Sequence, residues 1–154
     1  MARQFVIGAK EIEALLKSLP EKVAEKVTTA ALRAGAAVIA RQARTNIKSN
    51  PSIDSGLLLK SVTSRAKKRS KKGSKVVSVG IRRVKEQVKR KGRKGTSAAS
   101  PSRYAHFVEF GTKNMKAEPF MRTALQQKGA EAIAKITEFM GRGIAREAQK
   151  LAKR

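Results

Sequence analysis

YAHFVEFGTKNMKAEPF, residues 104–120, is unlike the chain around it. The protein has one tyrosine, one histidine and five phenylalanines, and this stretch holds Tyr104, His106, Phe107, Phe110 and Phe120. Glu109, Gly111, Thr112 and Pro119 stand among them. A chain so poor in aromatics that gathers them in one place is building either an active site or a structural joint. The joint reading decides the fold. Gly111 permits a sharp turn where a Cβ would be strained. Glu109 and Thr112 can hydrogen-bond nearby backbone or an arginine. Pro119 suits the first position of a helix, and Phe107, Phe110 and Phe120 would pin that helix to a sheet. The segment before Gly111 reads as a short strand or a helical turn.

Downstream of Pro119, Met121, Leu125, Ile133, Ile136, Met140, Ile144 and Leu151 stripe one final helix, weakened by Gly129, Gly141 and Gly143. Lys128, Lys135, Arg142, Arg146, Lys150, Lys153 and Arg154 surround the stripe. A core helix with a solvated back is the preferred reading, over a basic amphipathic helix resting on a membrane.

Upstream, a short apolar stretch near Phe5 is a candidate strand. Ile12, Leu15, Leu16 and Leu19 then fall at helical spacing up to Pro20. From Glu21 to about Lys48, the residues Val23, Val27, Ala31, Ala34, Val38 and Ile47 mark one face of a long helix, roughly 40 Å at 1.5 Å per residue. Its alanines and Gly35 would let another backbone approach closely. Asn50-Pro51 and Ser55-Gly56 end it with turn chemistry. Val62, Val76, Val77, Val79 and Ile81 are strand formers, and KKGSK, residues 71–75, is a turn between two strands. The stretch from Val84 to Arg103 reads as a mobile loop rich in Lys, Arg, Gly and Ser. There is no internal repeat. The expected fold is α+β: a long helix and a C-terminal helix packed on a small antiparallel sheet, as a single domain over 1–154, with a basic hairpin and mobile loop at about 63–103.

Charge comes next. With 36 basic residues against 11 acidic, the net charge is +25, well above the roughly 2 to 8 that keeps a small domain soluble. Such self-repulsion points to a polyanion nearby, nucleic acid first, with anionic membrane or an acidic protein as alternatives. From Lys60 to Lys94 there are 16 basic residues and one acid, Glu86. Lys67, Lys68, Arg69, Lys71, Lys72 and Lys75 on the hairpin are the candidate DNA-facing residues, with Lys89, Arg90, Lys91, Arg93 and Lys94 on the loop. Mobile lysines release counterions from phosphates and give affinity with little sequence preference. The bland alternative is a solvated face. Tyr104, Phe107 and Phe110 could stack on single-stranded bases, but packing in the core or between subunits is the stronger reading. Hydrophobic residues make up 40% but aromatics only 4%. Alanine buries little area at about 25 cal/mol per Å², so a thin core stabilised by neighbouring subunits is expected.

Catalytic parts are missing. His106 and Glu109 have H-x-x-E spacing, but no second histidine exists and the nearest other acid, Glu118, lies past a turn; a two-histidine zinc site cannot form in one subunit. KGRKGTS, residues 91–97, lacks the phosphate-loop pattern, and no G-x-S-x-G elbow occurs. No cysteine is present, which removes disulfides and thiolate metal sites. No apolar run approaches the ~20 residues of a bilayer span, and MARQFVIGAK is too weakly apolar for a signal peptide. A non-enzyme without cofactors, made and used as a soluble chain, is expected.

PSIDSGLLLKSV (Pro51 to Val62), then YAHFVEFGT and AEPFMRTAL, together resemble a family of long-tailed bacteriophage proteins, the neck or tail-completion (head–tail joining) proteins often described as minor tail components. Gly56, Leu57, Tyr104, Ala105, Glu109, Phe110, Gly111, Thr112, Ala117, Pro119 and Phe120 occupy the motif positions. The resemblance spans about residues 5–140, and the EFGT…PF anchor is its more specific part; the KRKGRKGTSAAS insertion departs from the compact pattern. It implies a non-enzymatic virion protein of the neck, assembled in the host cytoplasm as a homo-oligomeric ring. Its partners would be itself, the head connector, tail-terminator or tube proteins, and genomic double-stranded DNA in a central channel, with no membrane. The alternative is a nonspecific DNA-binding protein acting through its basic loop.

Overall fold

A computed structural model describes residues 13–14, 17, 19–50, 56–67, 74–83, 86–89 and 96–152; at 86–89, 96–99, 148 and 151–152 the backbone alone is described. The candidate strand near Phe5, the positions Ile12, Leu15 and Leu16, the turn residues Pro51 and Ser55, and Lys153 and Arg154 lie outside the described residues, and Leu151 is described in backbone only.

The long helix expected from the apolar spacing is α1, Glu21–Lys48. Pro20 opens it: its carbonyl accepts the N–H groups of Val23 and Ala24 at 2.8 and 3.0 Å, and Glu21 adds negative charge where the helix dipole favours it. A one-and-a-half-turn helix follows, α2 (Gly56–Ser61), closed by the Ser61 hydroxyl on the Leu58 carbonyl at 2.7 Å. The chain runs straight into β1 (Val62–Ala66), which pairs with β2 (Val77–Ile81). Lys67 N–H donates to Val76 O at 2.9 Å, and Arg82 N–H to Ser61 O at 2.8 Å, an antiparallel register.

The stretch read as a mobile loop contains a second hairpin. Strand β3 (Glu86–Lys89) pairs antiparallel with β4 (Thr96–Ala99), Glu86 opposite Ala99 and Lys89 opposite Thr96. Charge density hid it, because a loop reading weighs lysine and glycine. Yet backbone pairing does not need apolar side chains.

Helix α3 (Pro101–Phe110) replaces the expected strand or single turn. Pro101 at its start has no N–H to waste there and is pre-set in φ. After a turn at 111–118, α4 runs from Met121 to Ala152. Pro119 stands two residues ahead of it, and Phe120 rather than Pro119 precedes the first helical residue. The α+β class holds, with helix dominant.

The chain divides into two compact units. One comprises Met1–Ala36, Arg65–Ser78 and Ala130–Arg154. In it α1 and α4 run antiparallel, with Val27, Ala31, Ala132 and Ile144 buried. Gly35 lies against Ile136 and the Ala132 carbonyl, and a Cβ built there would stand 2.8 Å from that oxygen; a Cβ on Gly143 would stand 2.7 Å from Val27 Cγ1. The close approach read from Gly35 is therefore real, and it is matched from the other side by Gly143. Lys75 pairs with Glu25 at 2.5 Å, tying the hairpin to α1.

The other unit comprises Ala37–Ser64 and Val79–Gly129. Its core is Ile39, Ala40, Ala43, Ile47, Leu58, Val62, Ala105, Phe120 and Ala124. The buried leucine is Leu58; Leu57, the expected motif residue, is half-buried. Helix α2 packs against α3. The Arg44 guanidinium donates to Val62 O at 2.7 Å, and the Asn46 amide to Phe120 O at 3.1 Å.

The stripe expected along α4 is only partly inward. Ile144 is buried, but Leu125 and Ile133 are 60% and 51% exposed. Alanines Ala124 and Ala132 take the inner positions instead, which brings backbones close and leaves the larger side chains outside.

Candidate functional site

The joint is built around a buried carboxylate. Helix α3 turns Pro101, Ala105 and Glu109 inward at i, i+4 and i+8, the spacing of one helical face. A carboxylate in a core is costly unless its oxygens are satisfied. Here Glu109 Oε2 accepts the N–H groups of Phe120 and Met121, and Oε1 that of Arg122, each at 2.9 Å. These are the opening amides of α4, which have no partner inside their own helix. Glu109 thus caps a helix eleven residues further along, and its negative charge sits at the positive end of that helix.

A carboxylate at the end of its own helix would be poorly placed against that helix's dipole. Arg122 answers this. Its Nε lies 3.4 Å from Glu109 Oε1 and its Nη2 donates to the Glu109 backbone carbonyl at 3.1 Å. The guanidinium also lies over the Phe110 ring, 4.9 Å from its centre, within cation–π range.

Between the two helices the chain makes a tight loop. Gly111 has φ +75° and ψ 179°, a region open essentially to glycine alone. Its N–H donates to Phe107 O at 2.7 Å, and a Cβ there would meet Ala117 N at 2.8 Å and Met115 O at 2.9 Å. Thr112 and Met115 exchange backbone hydrogen bonds at 2.9 and 3.2 Å, and Thr112 Oγ1 accepts from Asn114 N at 3.3 Å. Glu118 N–H returns to Val108 O at 2.8 Å, and the Glu118 carboxylate accepts from Asn50 at 2.6 Å. Of the motif positions, Glu109, Gly111, Thr112 and Phe120 form one connected joint. Pro119 and Gly56 are exposed, Tyr104 is half-buried, and a Cβ on Gly56 would meet nothing within 4 Å.

The aromatics do not all pack as expected. Phe120 is buried, but Phe107 is 46% and Phe110 66% exposed. The outward face of α3 is Arg103, His106, Phe107 and Phe110, with the His106 and Phe107 rings 3.9 Å apart and tilted by 43°. Phe107 and Phe110 share one side of α3, and that side faces outward, so neither pins the last helix to a sheet within this chain. The residue that sequence reasoning missed is Arg122. Glu109 was read as able to bond nearby backbone or an arginine, and Arg122 is that arginine, which nothing in the sequence singled out.

Of the residues expected to face DNA, Lys67 is exposed beside the hairpin, whereas Lys75 is paired with Glu25. Lys89 lies on β3, where the backbone alone is described; Lys68, Arg69, Lys71, Lys72, Arg90, Lys91, Arg93 and Lys94 lie outside the described residues. Among the described residues no three His, Cys, Asp or Glu side chains come together as a metal would need, and no helix is long and apolar enough to cross a membrane.

The model of one protein family, described as "Bacteriophage HK97-gp10, putative tail-component", matches residues 10–111, two-thirds of the chain. The match takes in α1, both hairpins and α3, and stops on Gly111 of the joint. No curated protein and no solved structure matches the chain.

Proposed function

Because the chain belongs to the HK97-gp10-like family of bacteriophage tail components, we propose that it is a non-enzymatic structural protein of the virion neck, joining head connector to tail as a homo-oligomeric ring around the DNA channel. The family match carries the virion role. Supporting the ring is the thin, alanine-based core, which leaves stability to be gained between subunits. Supporting the channel is the run from Lys60 to Lys94, with 16 basic residues against one acid, suited to a phosphate backbone whatever its sequence. In this reading the Glu109–Arg122 joint is scaffold: it fixes where α4 leaves α3.

The test is removal of the gene from its phage, followed by electron microscopy of the lysate. The expected result is filled heads and finished tails that are not joined, rescued by the wild-type chain supplied in trans. Joined infectious particles without the protein overturn the neck role. Absence of tails altogether moves the protein from the joint to tail construction. Negative-stain images of the purified chain test the ring separately.

A further inference from the structure

We infer that the outward face of α3, together with Leu125, is a docking surface for an acidic protein that presents apolar side chains. The inference stands on one compact unit and needs neither the ring nor the channel.

Phe107, Phe110 and Leu125 are 46%, 66% and 60% exposed. Arg122 brings them into one patch, since its guanidinium covers one side of the Phe110 ring and Leu125 follows it by three residues on the same face of α4. Two phenylalanines can each bury about 150–250 Å², and aromatic anchors beside an arginine are the composition of interface centres. Isolated exposed leucines need no explanation; a contiguous aromatic patch does.

Charge selects the occupant. Among the side chains described in this unit the only carboxylates are Glu109 and Glu118. Glu109 is consumed by three backbone amides and Arg122, and Glu118 accepts from Asn50. Arg103 on the outward face of α3, and Lys113 and Lys116 on the turn after it, are exposed. Among the described side chains, therefore, the rim is cationic with no free acid to offer. A second copy meeting this face with its own identical face would set Arg103, Lys113 and Lys116 against their like. Duplex DNA would satisfy the rim but strand the phenyl rings and Leu125 against phosphate. An acidic surface with aliphatic or aromatic side chains satisfies both.

The probe is a synthetic amphipathic helical peptide with glutamates on one side and Leu and Phe at i, i+3, i+4 and i+7 on the other. Fluorescence anisotropy reads its binding to the full chain. The controls are the same peptide with Glu replaced by Lys, the same with Leu and Phe replaced by Ser, and a dT oligonucleotide. Wild-type protein is expected to bind the acidic apolar peptide alone with appreciable affinity. Phe110→Ser and Leu125→Ser, both at exposed positions, should each weaken it about tenfold, and Lys113→Glu with Lys116→Glu should weaken it further at low salt. Size-exclusion chromatography should find every variant in the same association state as wild type, whatever that state is, which separates this surface from self-assembly.

Four results overturn the inference: no peptide binding at about 1 mM; equal binding of the peptide lacking Leu and Phe; tighter Phe110-dependent binding of the oligonucleotide, which makes the face a base-stacking platform; and loss of self-association in Phe110→Ser, which makes it a subunit interface.

Discussion

Glu109 and Arg122 cap each other's helices: the Glu109 carboxylate receives the first amides of α4, while the Arg122 guanidinium returns to the Glu109 carbonyl at the end of α3. Neither contact depends on a neighbouring turn of the same helix, so the pair fixes the direction of one helix from the other. Replacing Glu109 by Ala leaves three amides, one of them buried, without an acceptor. The expected loss is about 2–4 kcal/mol of unfolding free energy, since each charge-assisted bond contributes about 1.5–3 kcal/mol and they are not additive. Urea denaturation of the purified chain measures it; a loss near zero means the cap is not formed in solution.

Gly111→Val is expected to be at least as severe. The backbone there occupies a glycine-only region that costs about 1–3 kcal/mol for another residue, and the added carbons would press on Ala117 N and Met115 O. Particle assembly should fail, while the affinity of the soluble variant for DNA stays near wild type. Gly56→Ala is the control, since a Cβ there meets nothing. Electron micrographs of complemented lysates and a filter-binding assay give the two readouts.

The glycines of α4 divide by what faces them. Gly129 and Gly141 have open space, so Ala at either position should raise stability by about 0.5–1 kcal/mol through helix propensity alone. Gly143→Ala should lower it, because Val27 stands in the way. Thermal melts of the three variants rank them, and an equal gain at all three sites removes the close contact of α1 and α4.

Two carboxyls on α4 titrate below their ordinary range. A hydrogen bond from Lys135, helped by the charge of Arg142, lowers Glu138, and a hydrogen bond from Lys150 lowers Glu147. A depressed pKa contributes stability above the unfolded value, and that contribution is lost as pH falls through the folded one. Both ion pairs reach solvent through their more exposed basic partners, so salt screens them. NMR titration of the glutamate side chains should therefore find both midpoints below those of Glu in a model peptide, moving upward as salt is added. Midpoints at or above the peptide value contradict the pairing.

For the hairpin, neutralising Lys67, Lys68, Arg69, Lys71 and Lys72 together is expected to flatten the slope of log affinity for duplex DNA against log salt. Each phosphate contact contributes about 0.9 to that slope, so five lost contacts reduce it by about 4 to 5. An unchanged slope excludes these residues as phosphate contacts.

Much of the architecture could be read in advance where one cause dominated. Val27, Ala31 and Ile47 announced α1 by spacing, Gly111 announced its turn, and Gly35 announced a close helix contact. What escaped notice depended on partners distant in sequence. Glu109 lies on the inner face of α3 because amides eleven residues later need it, and no local pattern contains that demand. Phe107 and Phe110 face outward for the same reason, since the carboxylate and Ala105 took the inner positions. The strands β3 and β4 were hidden by the basic run between them and by their own few apolar residues, neither of which says anything against backbone pairing.

The glycines facing across α1 and α4 carry a mechanical corollary. Gly35 receives Ile136 and Gly143 receives Val27, two seats about 12 Å apart along α1 at 1.5 Å per residue. Sliding one rod past the other by a single turn would lift both side chains out of their seats and drive them into fuller neighbours. Within that unit the helices are indexed like a key with two wards, and a shear of the pair costs both seats at once.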